Sequence, residues 1–113
     1  MAKFDLEDRT LRFAKAVIDL CKILGKDLVN REIVSQLLRA SGSVGANYRE
    51  ANEASTKRDF LHKIGLCRKE AKESKYWLEL ALHANSTNSK VLDPLIDEAM
   101  QLTRIFAAIA NKR

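Results

Sequence analysis

Residues 57–84 read KRDFLHKIGLCRKEAKESKYWLELALHA, and within them Phe60, Ile64, Cys67, Ala71, Ser74, Leu78 and Ala81 recur in a strict alternation of four and three. That spacing keeps one edge of a helix turned toward its neighbours in a bundle. Thr56 and Asp59 stand where a capping box puts its partners, with Asp in place of the preferred Glu, so the helix is expected to begin at 57. At about 1.5 Å per residue it extends some 40 Å, long enough to set the length of the domain.

Reading outward from it, three further periodic segments appear. Residues 8–24 carry Phe13, Ala14, Val17, Leu20, Cys21 and Leu24 on one side, with Gly25 as a C-terminal stop. Residues 31–54 follow Asn30, taken as an N-cap, and align Ile33, Val34, Leu37, Ser41, Val44, Tyr48 and Ala51. The run Asn85-Ser86-Thr87-Asn88-Ser89 has side chains that compete for backbone hydrogen bonds and marks a turn. Beyond it, residues 90–111 place Leu92, Leu95, Ile96, Ala99, Leu102, Phe106 and Ile109 on one face. Pro94 allows two starts: Asp93 as N-cap with Pro94 first in the helix, or a start near Ser89 with a local kink. Four amphipathic helices joined by short breaks must alternate in direction. The expected fold is all-α, an antiparallel up-down-up-down four-helix bundle in one domain over residues 1–113.

Composition agrees. Apolar residues make up 46% of the chain, and only one Pro and four Gly interrupt it, too few to punctuate the many short strands of a sandwich or barrel. No run of about 18 apolar residues exists to span a bilayer, and residues 1–9 alternate charged and apolar residues instead of forming a signal-peptide core. The expected location is cytoplasmic, without membrane association. Cys21 and Cys67 both fall on apolar stripes, where a reduced thiol acts as a small hydrophobe. The formal charge of +5 favours polyanions weakly, and its placement matters more than its sum.

Reaction chemistry finds little purchase. Di-iron bundles need Glu-x-x-His pairs, but His62 and His83 are the only histidines and neither follows a Glu by three. Cys67 has no base beside it in sequence, and Gly42 and Gly45 lie in a helical pattern without the preceding strand of a nucleotide loop. No enzyme activity, metal, cofactor or small-molecule substrate is expected. Two surfaces stand out instead. Arg58, His62, Lys69, Lys72 and Tyr76, with Gly65 among them, recur about 180° from the apolar seam of the third helix. Such a basic stripe suits a phosphate backbone, with Tyr76 placed to stack on a base; the ordinary account is a solvated face balanced by Asp59, Glu70 and Glu73. On the second helix Arg39, Ser43, Asn47 and Glu50 accompany Gly42, Gly45 and Ala46. Glycine inside a helix costs up to about 1 kcal/mol relative to Ala. Close approach of another helix, within the bundle or across a subunit boundary, would compensate, with Arg39 and Glu50 paired. Trp77, about 100° off the seam, is expected to cover the bundle's edge or anchor an interface.

The stretch from Gln36 to Ala51, QLLRASGSVGANYREA, resembles the signature of the bacterial four helix bundle proteins first noted in intervening sequences of 23S ribosomal RNA genes. Asp59-Phe60-Leu61-His62-Lys63, Arg68 to Ser74 and Tyr76-Trp77-Leu78 are similar to that family's second recurring block, and Phe4-Asp5-Leu6 with Phe13-Ala14 fit its start. Where many members carry an aromatic-Gln pair, Glu7-Asp8-Arg9-Thr10 stands here, as in one subgroup. The resemblance implies a homopentameric barrel of bundles. It also extends to accessory proteins of diversity-generating retroelements, which bind a reverse transcriptase and RNA through a basic surface. Self-association and association with RNA or a nucleic-acid enzyme are therefore the expected partnerships.

Overall fold

The computed structural model describes residues 3–112. Met1, Ala2 and Arg113, the ends of the expected 1–113 domain, lie outside them. Four helices follow in order: α1 Lys3–Ile23, α2 Leu28–Asn52, α3 Lys57–Ala84 and α4 Ser89–Asn111, with a 3₁₀ turn at Ser86–Asn88 before the last. Cross-helix contacts fix their directions. Glu7 near the start of α1 meets Asn52 at the end of α2, Arg39 and Glu50 of α2 meet Glu70 and Lys63 of α3, and Arg9 of α1 meets Glu98 of α4. The fold is the antiparallel up-down-up-down bundle, 45 Å along its long axis.

The seam of α3 is buried from Ile64 through Ala81, with Phe60 half-buried at its entrance. Leu37, Val44, Leu92, Leu102 and Phe106 meet it in the interior, and the rings of Tyr48 and Phe106 pack at 5.8 Å between centroids. Pro94 sits inside α4, so the start at Ser89 holds. The carbonyl that the proline deprives of a helical donor belongs to exposed Lys90, close to the helix start, which keeps the cost small. The two thiols are free; burial pushes Cys67 up to about 12 and half-buried Cys21 up to about 11. At pH 8 Cys67 should alkylate roughly a thousandfold more slowly than a free thiol, read by peptide mass mapping against the unfolded chain. Rapid native labelling would contradict that burial. Both thiols hold their protons more tightly folded than unfolded, so stability contributed here is intact below about pH 8.5 and declines as pH rises toward about 12.

α1 begins at Lys3, five residues before the expected start at 8, and α2 at Leu28, three before the expected 31; two expected caps also differ. Gly25 follows α1, but no described residue has positive φ, so it is not a left-handed cap. A Cβ at Gly25 would lie 3.3 Å from the Asn30 amide nitrogen, and close approach is what the glycine permits. Nor is Asn30 the cap of α2. Asp27 is, its carboxylate accepting the Asn30 backbone N–H at 3.0 Å. Asn30 turns inward, 4% exposed, and pairs reciprocally with Asn85: each amide donates to the other's carbonyl oxygen, at 3.0 and 2.8 Å. Asn85 Nδ2 also donates to the Ala81 carbonyl. The pair ties the α1–α2 turn to the end of α3. Asn30→Ala should lower stability by about 2 kcal/mol, because it leaves the part-buried Asn85 carbonyl oxygen without its donor and removes one of the two bonds of the Asn85 amide nitrogen. In a double-mutant cycle Asn85→Ala should add little on top of it, and full additivity of the two melts would show that the pair is not coupled.

Candidate nucleic-acid interface

α3 runs along one side of the bundle with its core edge inward, and this puts the opposite edge in water. Arg58, His62, Gly65, Lys69, Lys72 and Tyr76 are all exposed. Among the described residues, the side chains of Arg58, His62, Lys69 and Lys72 form no hydrogen bond or ion pair, whereas the flanking acids Glu70 and Glu73 are engaged elsewhere. Glu70 accepts from the Arg39 guanidinium of α2 at 3.2 Å, and Glu73 accepts from the same guanidinium. Exposed carboxylates remain at the two ends of the stripe, Asp59 and Glu53 beside His62 and Glu79 beside Lys72 and Tyr76; the Asp59 backbone N–H is held by the Thr56 cap at 3.0 Å. Along the stripe Arg58, Lys69 and Lys72 stand as unpaired cations.

The second-helix motif has a different role from the one expected. Arg39 and Glu50 do not pair with each other: eleven residues apart, they sit about 16 Å apart along the α2 axis. Each reaches instead across to α3, Arg39 to Glu70 and Glu73, Glu50 to Lys63 at 2.6 Å. Ser43 donates its hydroxyl to the Arg39 carbonyl, and Asn47 donates its amide to the Ser43 carbonyl, both at 2.8 Å. The motif lines the α2–α3 flank as a polar seam. Its glycines divide. A Cβ at Gly45 would meet Thr10 Oγ1 of α1 at 2.9 Å, so close helix approach explains that residue; at Gly42 and Gly65 nothing lies within 4 Å.

The seam also reaches the stripe. The Glu73 carboxylate that Arg39 holds accepts from Trp77 Nε1 at 3.3 Å, and the half-buried Trp77 ring meets Tyr76 edge-on, centroids 5.5 Å apart and planes at 75°. Trp77 thus covers the bundle's edge, and Tyr76 stays 56% exposed in an orientation set by its neighbour. Three basic residues that the stripe reading passed over adjoin it: Arg68, Lys75 and, on α4, Arg104. Arg68 and Lys75 were within reach of the α3 wheel, about 80–100° off the stripe's centre; Arg104 was not, because only packing brings α4 alongside. Among the described residues no group of three His, Cys, Asp or Glu side chains converges as a metal site, and no helix is long and apolar enough to cross a membrane.

Comparison with known proteins agrees with this architecture. No curated protein matches the chain. Among solved structures, a protein of unknown function from the S23 ribosomal protein family of Bacteroides thetaiotaomicron superposes with a TM-score of 0.81 at 30% identity, over 94% of this chain and 98% of its own. Residues 3–108 match the family described as 23S rRNA-intervening sequence protein. By that match, over nearly its whole length, the chain belongs to the family of 23S rRNA-intervening sequence proteins.

Proposed function

We propose that this protein is a non-enzymatic, self-assembling helical bundle that serves as an RNA-associated accessory or scaffold protein, binding phosphate backbones along the exposed edge of α3. The observation that carries the reading is the unpaired state of Arg58, His62, Lys69 and Lys72 while Glu70 and Glu73 are drawn away to Arg39. Free cations in line release counterions on meeting a polyanion; cations already paired would have to exchange partners first. Assembly amplifies the effect. Five copies of a chain of +5, the homopentamer that the family resemblance implies, carry about +25 formally. Leu11 and Ile18 of α1 and Leu38 of α2 are each about two-fifths exposed, and nothing fills the space at Gly42, one helical turn from Leu38, which supports self-association through α1 and α2.

A second reading, a protein-interaction module without a nucleic-acid role, is favoured by a groove of about 480 Å³ between the α2 start and the α3 end, lined by Leu28, Val29, Ile33, Leu80 and Ala84 with Glu32 and His83 among them. Leu28 there is 76% exposed. Absolute mass by light scattering, with and without structured RNA at low and moderate salt, separates the two. A multimer whose mass rises with RNA at low salt supports the first reading; a multimer indifferent to RNA leaves the second, and a monomer indifferent to RNA removes both the assembly and its polyanion partner.

A further inference from the structure

The basic edge of α3 opens sideways into two shallow grooves that share Lys72. One, about 300 Å³, is lined by Gly65, Arg68, Lys69 and Lys72, three cations and a residue without a side chain. The other, about 280 Å³, lies between α3 and α4, where Tyr76, Met100 and Arg104 face Lys72 and the Lys75–Glu79 pair. We propose that the two grooves together seat an unpaired nucleotide of a single-stranded RNA, its phosphate in the cationic groove and its base against Tyr76. This inference rests on the nucleic-acid reading above and narrows it to one class of ligand.

The exposed Tyr76 ring favours a single strand over a duplex, and the grooves around it fit one nucleotide. A duplex hides its base faces in the stack, so an exposed ring has nothing to pair with there, whereas every unpaired base offers a π-face. Tyr76 is held ready: the edge-on contact with Trp77, itself bonded to Glu73, limits the ring's freedom before any ligand arrives. The α3–α4 groove lies at the floor of the range of about 300–1,000 Å³ typical of small-molecule sites, a scale suited to one base rather than to a larger ligand. Its lone carboxylate, Glu79, has Lys75 Nζ at 3.5 Å, while Lys72 and Arg104 are unpaired among the described residues. At Gly65 a Cβ would meet nothing within 4 Å, so the missing side chain leaves room for a phosphate beside Lys69 and Arg68, the backbone N–H itself being engaged within the helix.

The test is fluorescence anisotropy with a short labelled RNA, single-stranded or annealed to its complement, against wild type, Tyr76→Ala, Tyr76→Phe, Arg104→Ala and the double variant Arg58→Ala/His62→Ala, which alters the stripe outside both grooves. Melting curves confirm that each variant folds. The single strand should bind more tightly than the duplex; Tyr76→Ala should weaken it about tenfold and leave the duplex unchanged, Tyr76→Phe should retain it, and Arg104→Ala should weaken it severalfold. Equal binding of both RNAs, lowered by the double variant and untouched by Tyr76→Ala, would overturn the groove and leave the stripe standing. Loss on Tyr76→Ala with no effect of the double variant would keep the groove and remove the stripe, and no binding of either RNA would overturn both.

Discussion

Gly45→Leu should destabilise the bundle by about 3 kcal/mol, the upper part of the usual range for overpacking a closed interior. The first atom added is already too close, since a Cβ at this position would stand 2.9 Å from Thr10 Oγ1 and 3.3 Å from its Cβ. Thr10 cannot yield cheaply. It is fully buried, and its hydroxyl donates to the Leu6 carbonyl at 2.7 Å, so turning it away strands a polar group inside the bundle. The helix propensity gained on replacing glycine returns only up to about 1 kcal/mol. For a chain of this size a loss of 3 kcal/mol lowers the melting midpoint by about 12 °C. Gly42→Ala and Gly65→Ala serve as controls: with nothing within 4 Å of either Cβ, both should melt at or above the wild-type temperature. Thr10→Ala should partly rescue Gly45→Ala by removing the hydroxyl in the way. A Gly45→Leu chain that melts with wild type would mean that α1 and α2 do not approach closely at this point.

What the sequence discloses follows the range of the interactions involved. The α3 seam was legible because its information is local: a period of four and three fixes one buried edge whatever lies across from it, and Ile64 through Ala81 are buried accordingly. The basic stripe was legible for the same reason, being the other edge of the same helix. Asn30 was misread because Asn and Asp cap helices about equally well. The choice between Asp27 and Asn30 is made by Asn85, fifty-five residues away, which offers Asn30 a better partner in the interior. The mutual pairing expected of Arg39 and Glu50 fails similarly, since α3 supplies both with closer partners. Gly42 and Gly45 look alike in sequence, and only the position of Thr10 separates them. Arg104 joins the stripe through packing of α4 alone, so no single-helix reading could have included it.

Reversing the stripe with Arg58→Glu, Lys69→Glu and Lys72→Glu together should abolish its attraction for RNA while leaving the fold intact. All three side chains are exposed and none has a partner to lose among the described residues. Their worth as a unit follows from counterion release. Three contacts on a single strand, at about 0.7 ions each, give a slope near −2 in log affinity against log salt, or roughly twentyfold between about 50 and 200 mM. Carried on to about 1 M salt, where release contributes nothing, the same slope makes the electrostatic share at about 50 mM some five-hundredfold. The triple variant should fall short of wild type by at least that factor at low salt, since glutamates repel where alanines would be silent, and its residual binding, through Arg68 and Arg104, should depend less steeply on salt than wild type's. Reversing Lys26, Arg31 and Lys90, exposed cations away from both the stripe and the α1 surface and without a side-chain partner among the described residues, changes the net charge by the same amount at another place. If that control weakens binding as much as the stripe variant does, the attraction belongs to the molecule's overall charge; if only the stripe variant fails, it belongs to the line of unpaired cations beside the Glu70 and Glu73 that Arg39 holds.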